Sequence, residues 1–528
     1  MKCLLHDVFI ESVRKNPEKL AVVEENGKSI SYEELDILSN RFAHAFGEMK
    51  PSVREKPYVG ILSTVHIHSI AAVLGTLKIA AAYVPLDDSS PVDRLQAIVE
   101  SARLDIICVD PVFYEKYRDL FSMSSIEKVI LLDFSEIKED RAISFSELMR
   151  FPSDSPGIVS QVADDLAYVL HTSGSTGVPK GIMLTHRNAR TFVDWMQKEF
   201  QLKAEDVFIS RAPFKFDLSI FDLFNCFKAG AKLVCYDWKE KRPLEEKHVS
   251  YVRLMEKEKV TVFYTTPSTF IVLMNRGKLD QHKLALRQLM YAGEPFPIPK
   301  LRRLLDLFPG MAIANIYGPT ETNIITYYKI KGPIDSDDPI PLGHVVDDTE
   351  ILVVSEDAKR ICKDGEIGEL WCRGGTVTLG YLGMEEKTKE SLIVSPFHSY
   401  PCIFWRTGDF GFKDALGLLH YRGRRDHMVK VKGFRIELGE IESALALYPD
   451  FEEFCVTAVP DDAYGHRLYC HYSLIKGKDS GEGILREFLS KYLPDYMIPY
   501  RFIYHKSLPK TSSGKIDRIN LQKTFMKV

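Results

Sequence analysis

Between residues 58 and 132 the chain repeats one rhythm. A short run of apolar, often β-branched residues is followed by a stretch with apolar positions every third or fourth residue. Residues 58–62 predict a strand, 65–79 a helix, and 82–86 a second strand ending at a Pro/Asp turn. Residues 105–109, 129–132, 166–171 and 260–265 are further apolar runs of strand length. Strands alternating with helices predict parallel sheets covered on both faces.

After about Asp335 the texture changes. Gly365, Gly368, Gly374, Gly375, Gly380 and Gly383 crowd a region that reads as an antiparallel or barrel-like subdomain. A second change comes at Gly423-Arg-Arg-Asp426. Beyond it the pattern predicts a helix (438–447), two strands (454–459 and 468–475), a second helix (483–493) and a loop rich in Pro, Ser and Gly. The expected architecture is α/β with α+β. A large N-terminal domain (1–425) of two wrapped β-sheets plus a barrel-like subdomain is hinged to a small α+β lid (426–528). No fixed-period repeat or low-complexity tract interrupts this plan.

The 528 residues exceed what one core usually holds, which agrees with several units. Formal charge is −4, from 69 basic and 73 acidic residues, so no broad basic footprint invites nucleic acid or an acidic membrane. The nine cysteines are scattered without a CxxC pair, which argues against structural zinc and for reduced thiols. The N-terminus lacks the apolar region of a signal peptide, and residues 69–86 are broken by Thr76 and Lys78. A soluble, cytoplasmic protein is expected.

The sharpest local signal is Leu170-His-Thr-Ser-Gly-Ser-Thr-Gly-Val-Pro-Lys-Gly181, between a predicted strand and a second strand at 182–185. Gly174 and Gly177 let the backbone turn its N–H groups inward. Thr172, Ser173, Ser175 and Thr176 add hydroxyls, and Lys180 adds a cation. This set suits polyphosphate oxygens. The spacing is not that of a Walker P-loop.

With this loop the chain resembles the adenylate-forming superfamily of acyl-CoA synthetases, luciferases and peptide-synthetase adenylation domains. The resemblance covers essentially the whole chain, in order. It runs through residues 77–86, where Ala80 and Ala81 stand in place of the usual glycines, and Asn315-Ile-Tyr-Gly-Pro-Thr-Glu321. It continues through Arg406-Thr-Gly-Asp409, Gly423-Arg424, Lys432-Gly-Phe-Arg-Ile-Glu-Leu-Gly-Glu440 and Leu508-Pro-Lys-Thr-Ser-Ser-Gly-Lys515.

The resemblance implies attack of a carboxylate on the α-phosphate of ATP. It implies that Glu321 helps to hold Mg²⁺, with Thr320 beside it at the α-phosphate. Tyr317 and Gly318 border adenine, and Asn315 bonds its exocyclic amine. Asp409 takes the ribose hydroxyls with support from Arg424, and Gly293, Glu294 and Pro295 form the adenosine wall. Lys515 bridges the reacting anions, and Asp426 is the hinge that exchanges Lys515 for a face around Lys432 and Gly433. Taken singly, Asp409 would read as a turn cap and Lys515 as a solvated lysine.

The substrate class follows from Pro213-Phe-Lys-Phe-Asp-Leu-Ser-Ile-Phe-Asp222. Asp217 resembles the aspartate that pairs with the ammonium of an amino acid, because a desolvated cation needs a counter-charge. Leu218, Phe221, Thr265, Met290, Ala292, Ile316, Ile324 and Ile325 align with the rest of that pocket, carry no charge, and imply a short apolar substrate. An L-, D- or β-amino acid could place its ammonium on Asp217. No carrier segment follows Lys515, so a separate carrier protein with a phosphopantetheine arm is the expected partner, as in antibiotic biosynthesis. An acyl-CoA ligase and a catalytically silent binding protein are the alternatives.

Overall fold

Parallel sheets need strands buried on both faces, and the chain supplies them. Ile106–Val109 is buried at all four residues. The computed structural model describes residues 3–48, 56–122, 126–134, 141–157, 160–172, 179–238, 240, 242–424, 428–461, 464–475, 481–510 and 516–523. In the first sheet, Tyr58–Leu62 lies between Ala82–Pro85 and Ile106–Val109, with Lys128–Leu131 beyond, all parallel. Leu166–Thr172 continues this sheet and pairs antiparallel with Lys180–Thr185, so both flanks of the phosphate loop are strands of one sheet.

The second sheet aligns Leu20–Glu24, Lys232–Cys235, Val207–Ser210, Val262–Thr265, Gln288–Ala292 and Ala312–Tyr317 in parallel. Thr326–Ile330 then adds antiparallel to it. One apolar cluster, from Leu5 to Trp405, joins the facing sides of the two sheets. The glycine-rich region forms an antiparallel sheet whose longest strand, Ile403–Lys413, carries Asp409.

The lid has its own apolar cluster, built on Ile436, Ile441, Val456, Leu468, Leu485 and Met497. A hairpin of Met428–Val431 and Phe434–Glu437 leads into helix Leu438–Leu445. Phe451–Asp461 and Gly465–Leu474 form a long antiparallel pair, and Arg501–Tyr504 joins it in parallel. The first of these strands begins three residues before the expected 454. Glu452 and Glu453 on its opening turn hide it from a pattern that looks for apolar runs. The expected boundary at 425/426 and the hinge residue Asp426 lie outside the described residues.

Two positions around helix Ile67–Lys78 show what the local chemistry demands. Ala80, the residue after its C-cap Ile79, sits at φ +61°, the left-handed region that glycine enters freely, so the departure from the family's glycine is a real backbone cost. Gly75 lies where this helix meets Tyr32–Glu48. A Cβ there would stand 2.7 Å from both Phe42 Cβ and the Ser39 carbonyl oxygen. Alanine is the better helix former by about 1 kcal/mol, but overpacking a rigid core costs roughly 1–3 kcal/mol. Gly75→Ala is therefore expected to lower the thermal midpoint of the N-terminal domain; an unchanged or raised midpoint in calorimetry contradicts this packing.

Candidate active site between core and lid

The ends of the second sheet deliver the nucleotide-side residues. Tyr317 closes strand Ala312–Tyr317, and its hydroxyl donates to Asp409 Oδ2 at 2.6 Å. Arg424 Nη1 donates to the other oxygen of Asp409 at 2.8 Å, so each oxygen of this buried carboxylate has one donor and acceptor capacity remains. Asn315, two residues earlier, gives its Nδ2 to the Pro341 carbonyl at 2.8 Å and leaves its oxygen for another donor. Gly318 is a place of close approach, since a Cβ would fall 2.4 Å from the Asn323 carbonyl oxygen. Gly293 adopts φ +94°, the buried Glu294 accepts the Ser268 N–H at 3.0 Å, and Pro295 is exposed at the rim.

Glu321 is buried, and Arg435 of the lid hairpin holds both its oxygens, at 3.1 and 2.8 Å. The Tyr381 hydroxyl donates to Glu321 at 2.9 Å. Burial opposes the charge, but Arg435, a backbone N–H, the Tyr381 hydroxyl and Lys180 together hold the carboxyl below its usual range. Of the phosphate loop, Thr172 and Lys180 are placed. The Thr172 hydroxyl has no partner among the described residues, and Lys180 is paired with Glu437 of the lid. Ser173, Gly174, Ser175, Thr176 and Gly177 lie outside the described residues, as does Lys515.

The amino-acid pocket also assembles. Phe221, Met290, Ala292, Ile316, Ile324 and Ile325 belong to the one apolar cluster between the sheets, and Leu218 packs against it. Thr265 does not join them: it ends strand Val262–Thr265 paired with Tyr291, so it points to the opposite sheet face from Met290, and Tyr264 takes the pocket position expected of it. Met290 pairs with Tyr264 and Ala292 with Ile316, which puts these four residues on one sheet face. The Tyr264 ring meets Phe221 at 5.2 Å. Asp217 heads the short helix Leu218–Ile220, and the nearby Thr320 hydroxyl favours its charged form. Burial pushes its carboxyl up to about 6, against the pull of Lys430.

Several residues that carry this geometry were not singled out from the sequence. Arg435 and Glu437 sit inside a quoted motif, but nothing in their spacing assigns them partners more than a hundred residues away. Lys430 enters the cleft from the hairpin, close to Gly293, and faces Asp409, Asp217 and Glu294. Lys387 stands beside Lys180; burial and that neighbour lower it to about 8. Tyr264 could have been found only from the strand register.

With the geometry in place, the comparisons with known proteins decide the family. Residues 9–382 match the AMP-binding enzyme model, and residues 440–515 match the AMP-binding enzyme C-terminal domain. The chain belongs to the AMP-binding enzyme family. An L-proline–[L-prolyl-carrier protein] ligase of Pseudomonas fluorescens is 31% identical over 98% of both chains. A Streptomyces coelicolor protein of the same description is 32% identical over 84% of this chain and 83% of its own length. Among solved structures, a Vibrio cholerae adenylation domain in complex with glycyl-adenosine-5'-phosphate superposes with a TM-score of 0.84 at 21% identity. It covers 100% of this chain and 98% of its own. The chain is therefore an ATP-dependent, AMP-forming ligase with the adenylation-domain fold. No helix among the described residues is long and apolar enough to cross a membrane.

In this AMP-binding enzyme the lid pairs with the charges expected to meet phosphate and metal. Glu437 occupies Lys180, and Arg435 occupies Glu321. Glu437→Gln, which removes an acid that competes with phosphate, is expected to tighten Mg·ATP binding about three- to tenfold, or ~1 kcal/mol. Calorimetric titration of the ligand-free chain checks this, and an unchanged Kd refutes the competition.

Proposed function

We propose that this chain joins a small or medium apolar amino acid to AMP, with release of pyrophosphate, and then passes the aminoacyl group to a carrier thiol. The thiol is the phosphopantetheine arm of a separate carrier protein. The observation that carries the reading is Asp217, a buried acidic side chain beside an uncharged, largely apolar set of residues and close to Thr320 of the nucleotide motif. A fatty acid would leave this anion unpaired; an α-ammonium group satisfies it. The two carrier ligases named for L-proline agree in chemistry.

In the first step a carboxylate oxygen of the amino acid attacks the α-phosphorus. The bond from that phosphorus to the bridging oxygen breaks, and pyrophosphate leaves with the electron pair. Asp217 fixes the ammonium and so aims the carboxylate. Asp409 accepts the ribose hydroxyls, Asn315 offers its free oxygen to the adenine amine, and Tyr317 borders the ring. Thr172, Thr320, Lys180 and the loop residues Ser173, Gly174, Ser175, Thr176 and Gly177 meet the phosphates, and Lys515 offsets repulsion between the two anions. One buried carboxylate at Glu321, beside phosphate oxygens and water, fits the way Mg²⁺ is usually held once Arg435 has withdrawn. The metal would screen the phosphate charge. In the second step the thiol sulfur attacks the acyl carbon, and AMP departs. The lid arrangement seen here, with Gly433 N–H donating to Glu294 at 2.7 Å, suits that step because it brings the hairpin to the cleft.

Pyrophosphate exchange across L-proline, L-alanine, L-valine and their deaminated analogues tests the reading. Exchange with an amino acid but not its deaminated analogue is expected; the reverse supports an acyl-CoA ligase. Asp217→Ala is expected to lose amino-acid activation about 100-fold, or ~3 kcal/mol. Lys515→Ala is expected to abolish exchange.

The pH dependence has a definite sign. Asp217 is charged only above about 6, so kcat/KM for the amino acid should fall about tenfold per unit below that value. Its folded value is raised above the ordinary ~3.9, so the charge costs stability above about 6 and costs nothing below about 4. Asp217→Asn should thus raise the thermal midpoint at pH 8 and leave it unchanged at pH 4. A flat kcat/KM profile from pH 5 to 8 would remove Asp217 from the ammonium site.

A further inference from the structure

Lys215 lies two residues before Asp217 and has no part in the contacts assigned above to nucleotide or amino acid. Its Nζ is 2.5 Å from Asp87 Oδ1, and both side chains are largely withdrawn from solvent. Around the ammonium stand three aromatic rings, at 5.7 Å (Phe216), 5.1 Å (Phe434) and 5.4 Å (Tyr496). Phe434 and Tyr496 both belong to the lid and stack on each other with centroids 3.8 Å apart and planes at 15°. Phe216 meets Phe434 edge-on at 5.0 Å. The Tyr496 hydroxyl reaches the second oxygen of Asp87 at 3.3 Å.

Three separate pieces of chain therefore meet at one cation: the core turn of Asp87, the substrate loop of Lys215 and Phe216, and the lid. Phe434 is adjacent to Gly433, whose N–H is bound to Glu294. When the lid leaves this arrangement, Lys215 keeps Asp87 and Phe216 but loses two of its three rings, and Asp87 loses Tyr496. A cation over an aromatic face gains most where water is excluded. The interaction therefore differs between lid positions, which is the requirement for biasing a conformational equilibrium.

We propose that Lys215 is a positioning residue for thiol transfer: its caged ammonium favours the lid arrangement that presents the hairpin to the cleft. The proposal rests on the two-step reaction above. It adds that the loop bearing the amino-acid-binding Asp217 also senses the lid, through its neighbour.

The test separates the half-reactions. Lys215→Met keeps length and apolar bulk but removes the charge. In single-turnover experiments it is expected to slow transfer from preformed aminoacyl-adenylate to a phosphopantetheine thiol about tenfold, while pyrophosphate exchange stays within about twofold of wild type. Lys215→Arg keeps a cation and should recover most of the transfer rate. No recovery would assign the effect to packing rather than charge and overturn the proposal, as would equal loss in both half-reactions or no loss in transfer.

A second readout needs no substrate. Amide hydrogen exchange of residues 429–437 in the ligand-free chain should be faster in Lys215→Met than in wild type, and equal protection overturns the proposal. Wild-type protein that exchanges pyrophosphate with no amino acid would sink the reaction assigned above, while the hydrogen-exchange comparison would still decide the lid contact.

Discussion

Four carboxylates, Asp217, Glu294, Glu321 and Asp409, line one cleft, and each must meet a positive charge or a donor there. A buried carboxylate without one costs several kcal/mol. Asp409 is served from within the core, by Tyr317 and Arg424. The others are not. Glu321 takes Arg435, Glu294 takes the Gly433 N–H, and Asp217 feels Lys430; all three partners come from the same lid hairpin. Lys180, the cation of the phosphate loop, is in turn met by Glu437 at the hairpin's end. The hairpin is thus a charge complement of this cleft.

On the proposed reaction, that complementarity gives the lid a reason to move. Phosphates would bring negative charge to Lys180, a divalent cation positive charge to Glu321, and a substrate ammonium positive charge to Asp217. Each arrival would make one hairpin contact redundant, and departure of pyrophosphate would let Glu437 and Arg435 return to Lys180 and Glu321.

Much of this was legible in the sequence, for identifiable reasons. The strands at 58–62, 82–86 and 105–109 are short apolar runs between helical stretches, and they form as read because burial on both faces leaves little choice. Asp217, Tyr317, Glu321 and Asp409 were found because they sit in motifs of small, rigid spacing, and the fold brings them to one cleft. The partners of those residues were not legible. Arg435 and Glu321 are 114 residues apart, Lys180 and Glu437 257 apart, and nothing local to either member marks the pair. Tyr264 escaped because a pocket face is set by strand register, which a single chain position does not reveal. Lys215 reads as an ordinary solvated lysine until the lid rings close over it.

A lid that serves two steps cannot be held too firmly in either. Mg·ATP bound at micromolar to millimolar affinity supplies about 4–8 kcal/mol, and part of that must remain for binding after the hairpin is displaced. The contacts that dock the hairpin therefore have to be worth only a few kcal/mol net. Buried ion pairs meet this requirement, because most of their Coulomb attraction is cancelled by desolvation. A hydrophobic plug of the same area would not be cancelled in this way, nor would it be opposed by phosphate. The aromatic patch of Phe216, Phe434 and Tyr496 lies beside these charged contacts, and a lysine sits at its centre. Placing a cation there keeps the patch from becoming a purely apolar seam and makes its strength depend on Asp87. Adhesion at this junction is thereby kept in the range that nucleotide binding can reverse.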